Sequence, residues 1–460
     1  MPLVMVRPSR PAAFAAALSL AGCASAPPPE LAVAPAVLAQ DWSVAAPGDA
    51  RPLAAAWTAF NSPELERLIE RARSANTDIA IARARIMQAR GQLGVARSAL
   101  LPSLDLSASP SITRTSGIGK PVIARTAGAG LDIAWDLDLF GANRAGKRAA
   151  RERLAAAAFN ADAVGLAVEA EVARAYVSYA ALTDRLAVLD RALANARELE
   201  RIILLRVKEG AATRVDSGLQ TIEVRRYEAD RSQMAEARQH ARNALAVLVG
   251  EEAPRFQVAG SDLSAFSLPA FQPVQPGELL VRRPDLRAAE AGIRAAEGDV
   301  SRARAAFLPS IRLSARGLGE SALQGGPLSV VLSAAASLVA PIFSGGRLRG
   351  ELMTARGFQI ESVETYRATL LTAVREGEDA LTAVDESGRR VELLAASIED
   401  ARRTASLARA QYVEGAADLQ TLLDAERGLL DLEDAQAIAR QDRLDAAIDL
   451  YKAMGGAPRQ

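Results

Sequence analysis

Few residues in this chain could carry covalent chemistry. Cys23 is its one cysteine and His240 its one histidine among 460 residues. A disulfide within the chain is therefore impossible, and a zinc site built from Cys and His ligands is excluded. Nucleophilic catalysis of the Ser-His-Asp or Cys-His kind would have to recruit His240. That residue lies in Glu236-Ala237-Arg238-Gln239-His240-Ala241-Arg242, a polar run where an exposed helix histidine is expected. No metal or nucleotide motif is present, so the sequence argues against an enzyme and calls for no cofactor. Fifty-five basic and 55 acidic residues give zero formal charge, which leaves no bulk electrostatic reason to hold nucleic acid.

The chemistry open to Cys23 is set by what precedes it. Arg7 and Arg10 lead into a short apolar run, Pro11 to Leu20, too short to span a bilayer as a helix. A basic start followed by 7–15 apolar residues is a secretory signal. It ends at Leu20-Ala21-Gly22-Cys23, which resembles a bacterial lipoprotein lipobox. That resemblance implies a signal peptide over residues 1–22, cleavage before Cys23 and lipidation of its sulfur. Ala24 rather than Asp follows, which by the same analogy points to the outer membrane. Residues 23–55 read as a tether and equatorial segment, Pro/Ala-rich at its start. No later segment has 18 or more uninterrupted apolar residues, so a membrane crossing by this chain has to be a closed β-barrel.

The elements that would position any functional group come in two copies. Ala96-Arg97-Ser98-Ala99-Leu100-Leu101-Pro102-Ser103-Leu104 returns as Ala303-Arg304-Ala305-Ala306-Phe307-Leu308-Pro309-Ser310-Ile311, and Glu209-Gly210-Ala211-Ala212 as Glu414-Gly415-Ala416-Ala417. The offset is about 205 residues, a tandem repeat of one plan. The halves span 56–250 and 277–456, joined by a Pro-, Ser- and Phe-rich linker over 251–276. Each reads as helix, two strands and very long helices. The first half places strands at about 103–114 and 126–140 and helices at 141–208 and 213–249. The second places strands at about 310–319 and 327–343 and helices at 346–413 and 417–454.

The strands alternate with period two. Leu131, Ile133, Trp135, Leu137 and Leu139 share one face, and Asp132, Ala134, Asp136 and Asp138 the other. Ile311, Leu313 and Ala315 oppose Ser310, Arg312, Ser314 and Arg316 in the same way. Such stretches suit a membrane-spanning barrel strand, and equally a half-buried hairpin on a soluble core. In the first case four strands are too few to close a barrel. Three copies would supply twelve, around a lumen lined by Asp132, Asp136, Asp138, Arg312 and the serines. The long helices, ~100 Å each at 1.5 Å per residue, would continue that barrel as a helical tube. The expected fold class is therefore mostly α with membrane β: two tandem repeats, a trimeric 12-stranded β-barrel and a helical barrel continuing it.

Val281-Arg282-Arg283-Pro284-Asp285-Leu286, the following Glu290 and Phe307-Leu308-Pro309-Ser310, Trp135-Asp136-Leu137-Asp138-Leu139-Phe140-Gly141, and Leu422-Leu423-Asp424-Ala425 resemble the motifs of a known family. With them, over essentially the whole chain after Cys23, the sequence resembles the bacterial outer membrane factors, the TolC-type efflux channels. The lipobox points to the lipidated, NodT-like branch serving RND-type pumps. The resemblance implies a lipid-anchored homotrimer in the outer membrane with its helical barrel in the periplasm. It would dock on a periplasmic adaptor (membrane fusion) protein and an inner-membrane RND-type pump, as a passive exit duct for small molecules such as drugs.

Carried over by position, the resemblance implies a periplasmic gate at Asp424, Asp216, Tyr412 and Thr421. Asp424 matches a gate aspartate, Asp216 another acidic tip position, and Tyr412 a tyrosine that ties neighbouring coils. Thr421 stands where some members carry a second acidic ring, and Ala417 where some carry a locking arginine; Arg214 is the alternative latch. The bland readings remain open: Asp424 as a solvated helix residue and Tyr412 as plain packing. Two other functions also stay open, a type I protein-secretion channel and a pore-free periplasmic coiled-coil scaffold.

Overall fold

A computed structural model describes residues 39, 41–43, 57–116, 121–260, 262–269, 273–322 and 327–456. The signal segment 1–22, Cys23 and most of the 23–55 tether lie outside the described residues. No described helix is long and apolar enough to cross a membrane.

The chain enters helix α1 (Pro63–Ala75) through a Ser62 cap and Pro63 at the first helical position, a favoured start because that N–H has no partner in the helix. Leu65, Leu68, Ile69 and Ala72 form its buried stripe. Asn76 then breaks the run and caps helix α2 (Thr77–Ser98), its side chain accepting from the Asp78 and Ile79 amides at 2.9 and 3.1 Å. Strand β1 (Ser103–Thr115) starts directly after Pro102, which cannot continue a helix. Strand β2 (Val122–Leu137) returns antiparallel, and α3 (Ala142–Lys208) and α4 (Arg214–Leu248) complete the first half. A one-turn helix, Leu279–Arg282, leads into α5 (Pro284–Ala305). Strands β3 (Ser310–Ala322) and β4 (Ser329–Val339) and helices α6 (Arg347–Glu414) and α7 (Leu419–Ala453) repeat the pattern.

The returning strands differ from their expected bounds. β2 runs over 122–137 rather than 126–140, because Asp138 turns back to cap α3. β4 runs over 329–339 rather than 327–343: Pro341, which has no N–H for a ladder, follows its end. β3 runs to residue 322 rather than 319. The first half also opens with two helices instead of one.

Helices α3 and α6 have 67 and 68 residues, which makes each ~100 Å long. Near the hairpins the packed order is α2, α3, α5, α6; toward the far end it is α4, α3, α7, α6. Small residues let these rods approach closely. A Cβ on Gly298 of α5 would lie 2.9 Å from the Ala149 Cβ of α3, so only glycine fits there. A Cβ on Gly377 of α6 would likewise run into the Trp42 ring, and Trp42 Nε1 donates to the Val274 carbonyl at 2.6 Å.

Arg283, from the Arg-Arg-Pro-Asp run, is a buried tie between elements rather than a surface charge. It donates to Asp285 at 3.1 and 2.7 Å, to the Ala453 carbonyl at 3.1 Å, and pairs with Glu376 at 2.8 Å. It thereby binds the start of α5 to the end of α7 and the middle of α6. Two carboxylates and a carbonyl satisfy the buried guanidinium, as a desolvated charge requires.

Asp445 on α7 is less well served. One of its oxygens accepts from Gln441 at 3.3 Å; the other is buried with no hydrogen-bond partner among the described residues. Burial pushes its carboxyl from the ordinary 3.8 up to about 7, opposed by Gln441 and by Arg174 of α3, and assisted by Asp449 and Asp442. Between those two values the folded chain holds a proton that the unfolded chain has released. This contribution to stability is therefore full below pH ~4 and is lost as pH rises toward ~7. Asp445→Asn, neutral at every pH, is expected to raise the melting temperature of the solubilised protein at about pH 8 and leave it unchanged near pH 4. An equal shift at both pH values would contradict the assignment.

Candidate functional site

The four strands form one antiparallel sheet in the order β1-β2-β3-β4. Residues directly opposite in an antiparallel ladder share a face, so the register sorts the whole sheet. One face carries Leu104 opposite Ile133, Leu106 opposite Leu131, Trp135 opposite Leu313, and Ile311 opposite Leu338. The other carries Asp105 opposite Asp132, Asp132 opposite Arg316, and Arg316 opposite Ser333. A second polar row joins Asp136, Arg312 and Ser337.

Arg316 lies 3.2 Å from Asp132, and Arg312 lies 3.8 Å from Asp136. The polar face is thus a lattice of alternating charge. Across the sheet, the apolar side chains are bare: Leu332 is 82% exposed and Leu106 77%. Among the described residues of one copy, the outer edges of β1 and β4 have no neighbouring strand.

Three of the four residues expected to line a lumen do share this polar face: Asp132, Asp136 and Arg312. Asp138 does not. It lies beyond the end of β2 and accepts from the amides of Asn143 and Arg144 at 2.9 and 2.8 Å and from Arg144 Nε at 3.1 Å. Gly141, at φ 78°, lacks a capping side chain, so Asp138 satisfies the first free amides of α3 from outside the helix. Its place in the alternating pattern hid this; the signal was the Phe140-Gly141 turn two residues later.

At the far end of the helices two tight turns, at Gly210 and Gly415, both with φ 75°, reverse α3 into α4 and α6 into α7. Tyr412 is buried there among Leu199, Ile203, Ala408, Leu419, Leu422 and Leu423. Arg206 of α3 stacks on its ring, 5.1 Å from the centroid, and donates to the carbonyls of Tyr412 and Val413 at 3.2 and 2.6 Å. Tyr412 therefore packs and links the two helix pairs at once. Burial raises its phenol, against the adjacent Arg206 charge.

The other tip residues have local partners. Asp216 closes a capping box: its carboxylate accepts from the Thr213 amide and hydroxyl, both at 2.8 Å, and its amide donates to the Thr213 hydroxyl at 3.2 Å. Thr421 donates its amide and hydroxyl to Asp418, the cap of α7, at 2.8 and 2.6 Å. Asp424 is 60% exposed; it accepts from Gln420 at 2.8 Å and lies 3.8 Å from Arg427.

Arg427 leads to a tie the sequence reading missed. Its guanidinium meets Glu223 of α4 in a two-pronged pair, at 3.0 and 2.6 Å. The Glu223 side chain is 2% exposed. Burial pushes its carboxyl up, but Arg427 and a Tyr227 hydrogen bond outweigh that and hold it below the ordinary range. Glu223 thus stays charged and bridges the first helix pair to the second through Arg427, which lies one turn from Asp424. A signal was available: Gln220, Glu223, Val224 and Tyr227 follow the 3, 4, 7 spacing of a buried helix stripe, and two of the four are polar.

Comparison with known proteins agrees with this geometry. The Outer membrane efflux protein family matches residues 68–251 and 276–456, one match on each repeat. The pyoverdine export outer membrane protein OpmQ of Pseudomonas aeruginosa is 33% identical, covering 96% of each chain. The solvent efflux pump outer membrane protein SrpC of Pseudomonas putida is 29% identical, covering 96% of this chain and 97% of its own. A crystal structure of a Pseudomonas aeruginosa membrane protein superposes with TM-score 0.83 at 31% identity, covering 94% of this chain and 100% of that one. The doubled match, the full-length identity and the shared architecture establish that this chain belongs to the Outer membrane efflux protein family and forms an outer membrane exit duct.

Proposed function

We propose that three copies join side to side into one continuous passage, with the polar face of each sheet turned inward and the apolar face toward lipid. The observation that carries this is the position of the open edges. β1, α2 and α4 lie along one flank of the chain, and β4 and α6 along the other. One rotation that sets β4 beside the next copy's β1 therefore also sets α6 beside the next copy's α2 and α4. A head-to-tail contact of this kind closes a ring if the rotation fits. Closure supplies the backbone partners that lipid cannot, each worth several kcal/mol. Twelve strands leave a lumen wider than the filled eight-strand barrel.

In this reading the duct is passive. Cargo is delivered by an inner-membrane RND-type pump through a periplasmic adaptor that grips the helical end. The names of OpmQ and SrpC, one an exporter of pyoverdine and one part of a solvent efflux pump, support small-molecule cargo. The gate lies at the helix turns. Three copies of Asp424 around the axis crowd like charges, repel one another and draw cations. Arg206–Tyr412 and Glu223–Arg427 hold the α6–α7 pair against the α3–α4 pair, so opening has to break them. Asp216 and Thr421 stabilise the turns that carry the gate, through their caps. Cys23 anchors the tether in the outer membrane lipid by its acyl chains.

Planar-bilayer recording of the purified full chain tests the gate. Glu223→Gln is expected to raise conductance severalfold, since losing about 1–2 kcal/mol from a closed state shifts its population by that order, and Asp424→Ala is expected to raise it by removing the cations that three carboxylates hold in the constriction. Unchanged conductance in both would remove the gate from this end. Labelling with radioactive palmitate tests the anchor: Cys23→Ser is expected to abolish incorporation, and persistent label would put the lipid elsewhere.

A further inference from the structure

The first hairpin carries a charge pattern that the duct does not use. Between Asp105 and Asp132 the sequence has no acidic residue, yet it holds Arg114, Lys120 and Arg125. Lys120 lies outside the described residues. Arg114 and Arg125 are described and exposed, and the register fixes their side of the sheet. Arg125 stands opposite Ile112 and Arg114 opposite Ile123, on the face that also bears Leu104, Leu106, Leu131 and Ile133. Both arginines therefore belong to the apolar face, at the end of the hairpin farthest from the helices.

The contrast with the other face is informative. Arg312 and Arg316 each have a carboxylate within 4 Å, Asp136 and Asp132. All the acidic residues of the strands, Asp105, Asp132, Asp136 and Glu320, lie on that polar face. Arg114 and Arg125 are diagonal neighbours, ~7–8 Å apart in such a ladder. Two guanidinium groups borne on neighbouring ladder positions, on a face with no acid among the described residues, find a counter-anion only from outside the chain.

Their height identifies its source. Arg125 is ten residues from Trp135 along β2, ~34 Å of strand. At the ~40° tilt of barrel strands this is about 26 Å along the membrane normal, the height of the apolar band of such barrels. The arginines thus stand at the head-group level of the leaflet away from the helices, which for an outer membrane protein is the outer one. We propose that Arg114 and Arg125 form a binding site for the phosphate groups of outer-leaflet lipid, of the diphosphorylated glucosamine (lipid A) class. Guanidinium forks match phosphate oxygens in pairs, and the neighbouring Ile112 and Ile123 offer an apolar surface for the acyl chains. This site rests on the outer membrane placement of the sheet and not on the gate.

Native mass spectrometry of the detergent-solubilised full chain, titrated with diphosphoryl lipid A, tests the site. Each cation near an anionic lipid surface contributes about fivefold in affinity, so Arg114→Gln with Arg125→Gln is expected to weaken binding about thirtyfold. Arg114→Lys with Arg125→Lys keeps most of it, and the lumen variant Arg312→Gln keeps all of it. Undiminished binding in the double glutamine variant overturns the proposal. On the unaltered chain, dephosphorylated lipid A binding as tightly as the diphosphoryl form also overturns it. Inorganic phosphate competing at equal concentration would place the anion in free solution and overturn the lipid source.

Discussion

An open sheet with two unpaired edges and one bare apolar face is the constraint on which the rest of this molecule depends. In water the apolar face would be a large exposed patch, and in lipid the edges would leave backbone groups unpaired. Neither cost is met within one copy. The sheet therefore makes sense only as a sector of something closed. The helices carry the same incompleteness: among the described residues, α6 and, opposite it, α2 and α4 stand at the two ends of the packed order. Because β4 runs into α6 and α2 runs into β1, strand edges and helix edges lie on matching flanks. A single contact between copies can complete both tubes at once.

Within each copy, a few buried polar groups fix how the rods lie against one another. Arg283 joins α5, α6 and α7 near the middle; Glu223 with Arg427, and Arg206 with Tyr412, join the two helix pairs at the tip. The two sets differ in exposure. Arg283 is 6% exposed and enclosed by three acceptors. Arg427 remains 36% exposed beside Glu223. Charge pairs with a solvated partner cost less to separate than fully buried ones. A firm middle and a separable tip fit the opening proposed at the helix turns.

Much of this was legible in the sequence because it is periodic. The tandem repeat fixed the plan of both halves, Pro102 and Pro309 marked the starts of β1 and β3, and strict alternation told the two faces of the sheet apart. The turns at Gly210 and Gly415 were equally plain. What the sequence concealed were groups whose role depends on a partner far along the chain. Asp138 continued the alternation of β2 yet caps α3. Asp216 and Thr421 read as gate positions but serve first in helix caps. Glu223 and Arg427 are 204 residues apart and nothing local announces their pairing. Periodicity reports which side of an element a residue occupies; it does not report what arrives on that side from elsewhere.

Amide hydrogen exchange on the native assembly in detergent tests the edge constraint most directly. If neighbouring copies complete the sheet, the outward-facing amides of β1 and β4 exchange as slowly as those of β2 and β3, which already have partners on both sides. Fast exchange along β1 and β4, with β2 and β3 protected, would mean that the edges stand open and that the passage built from several copies does not form.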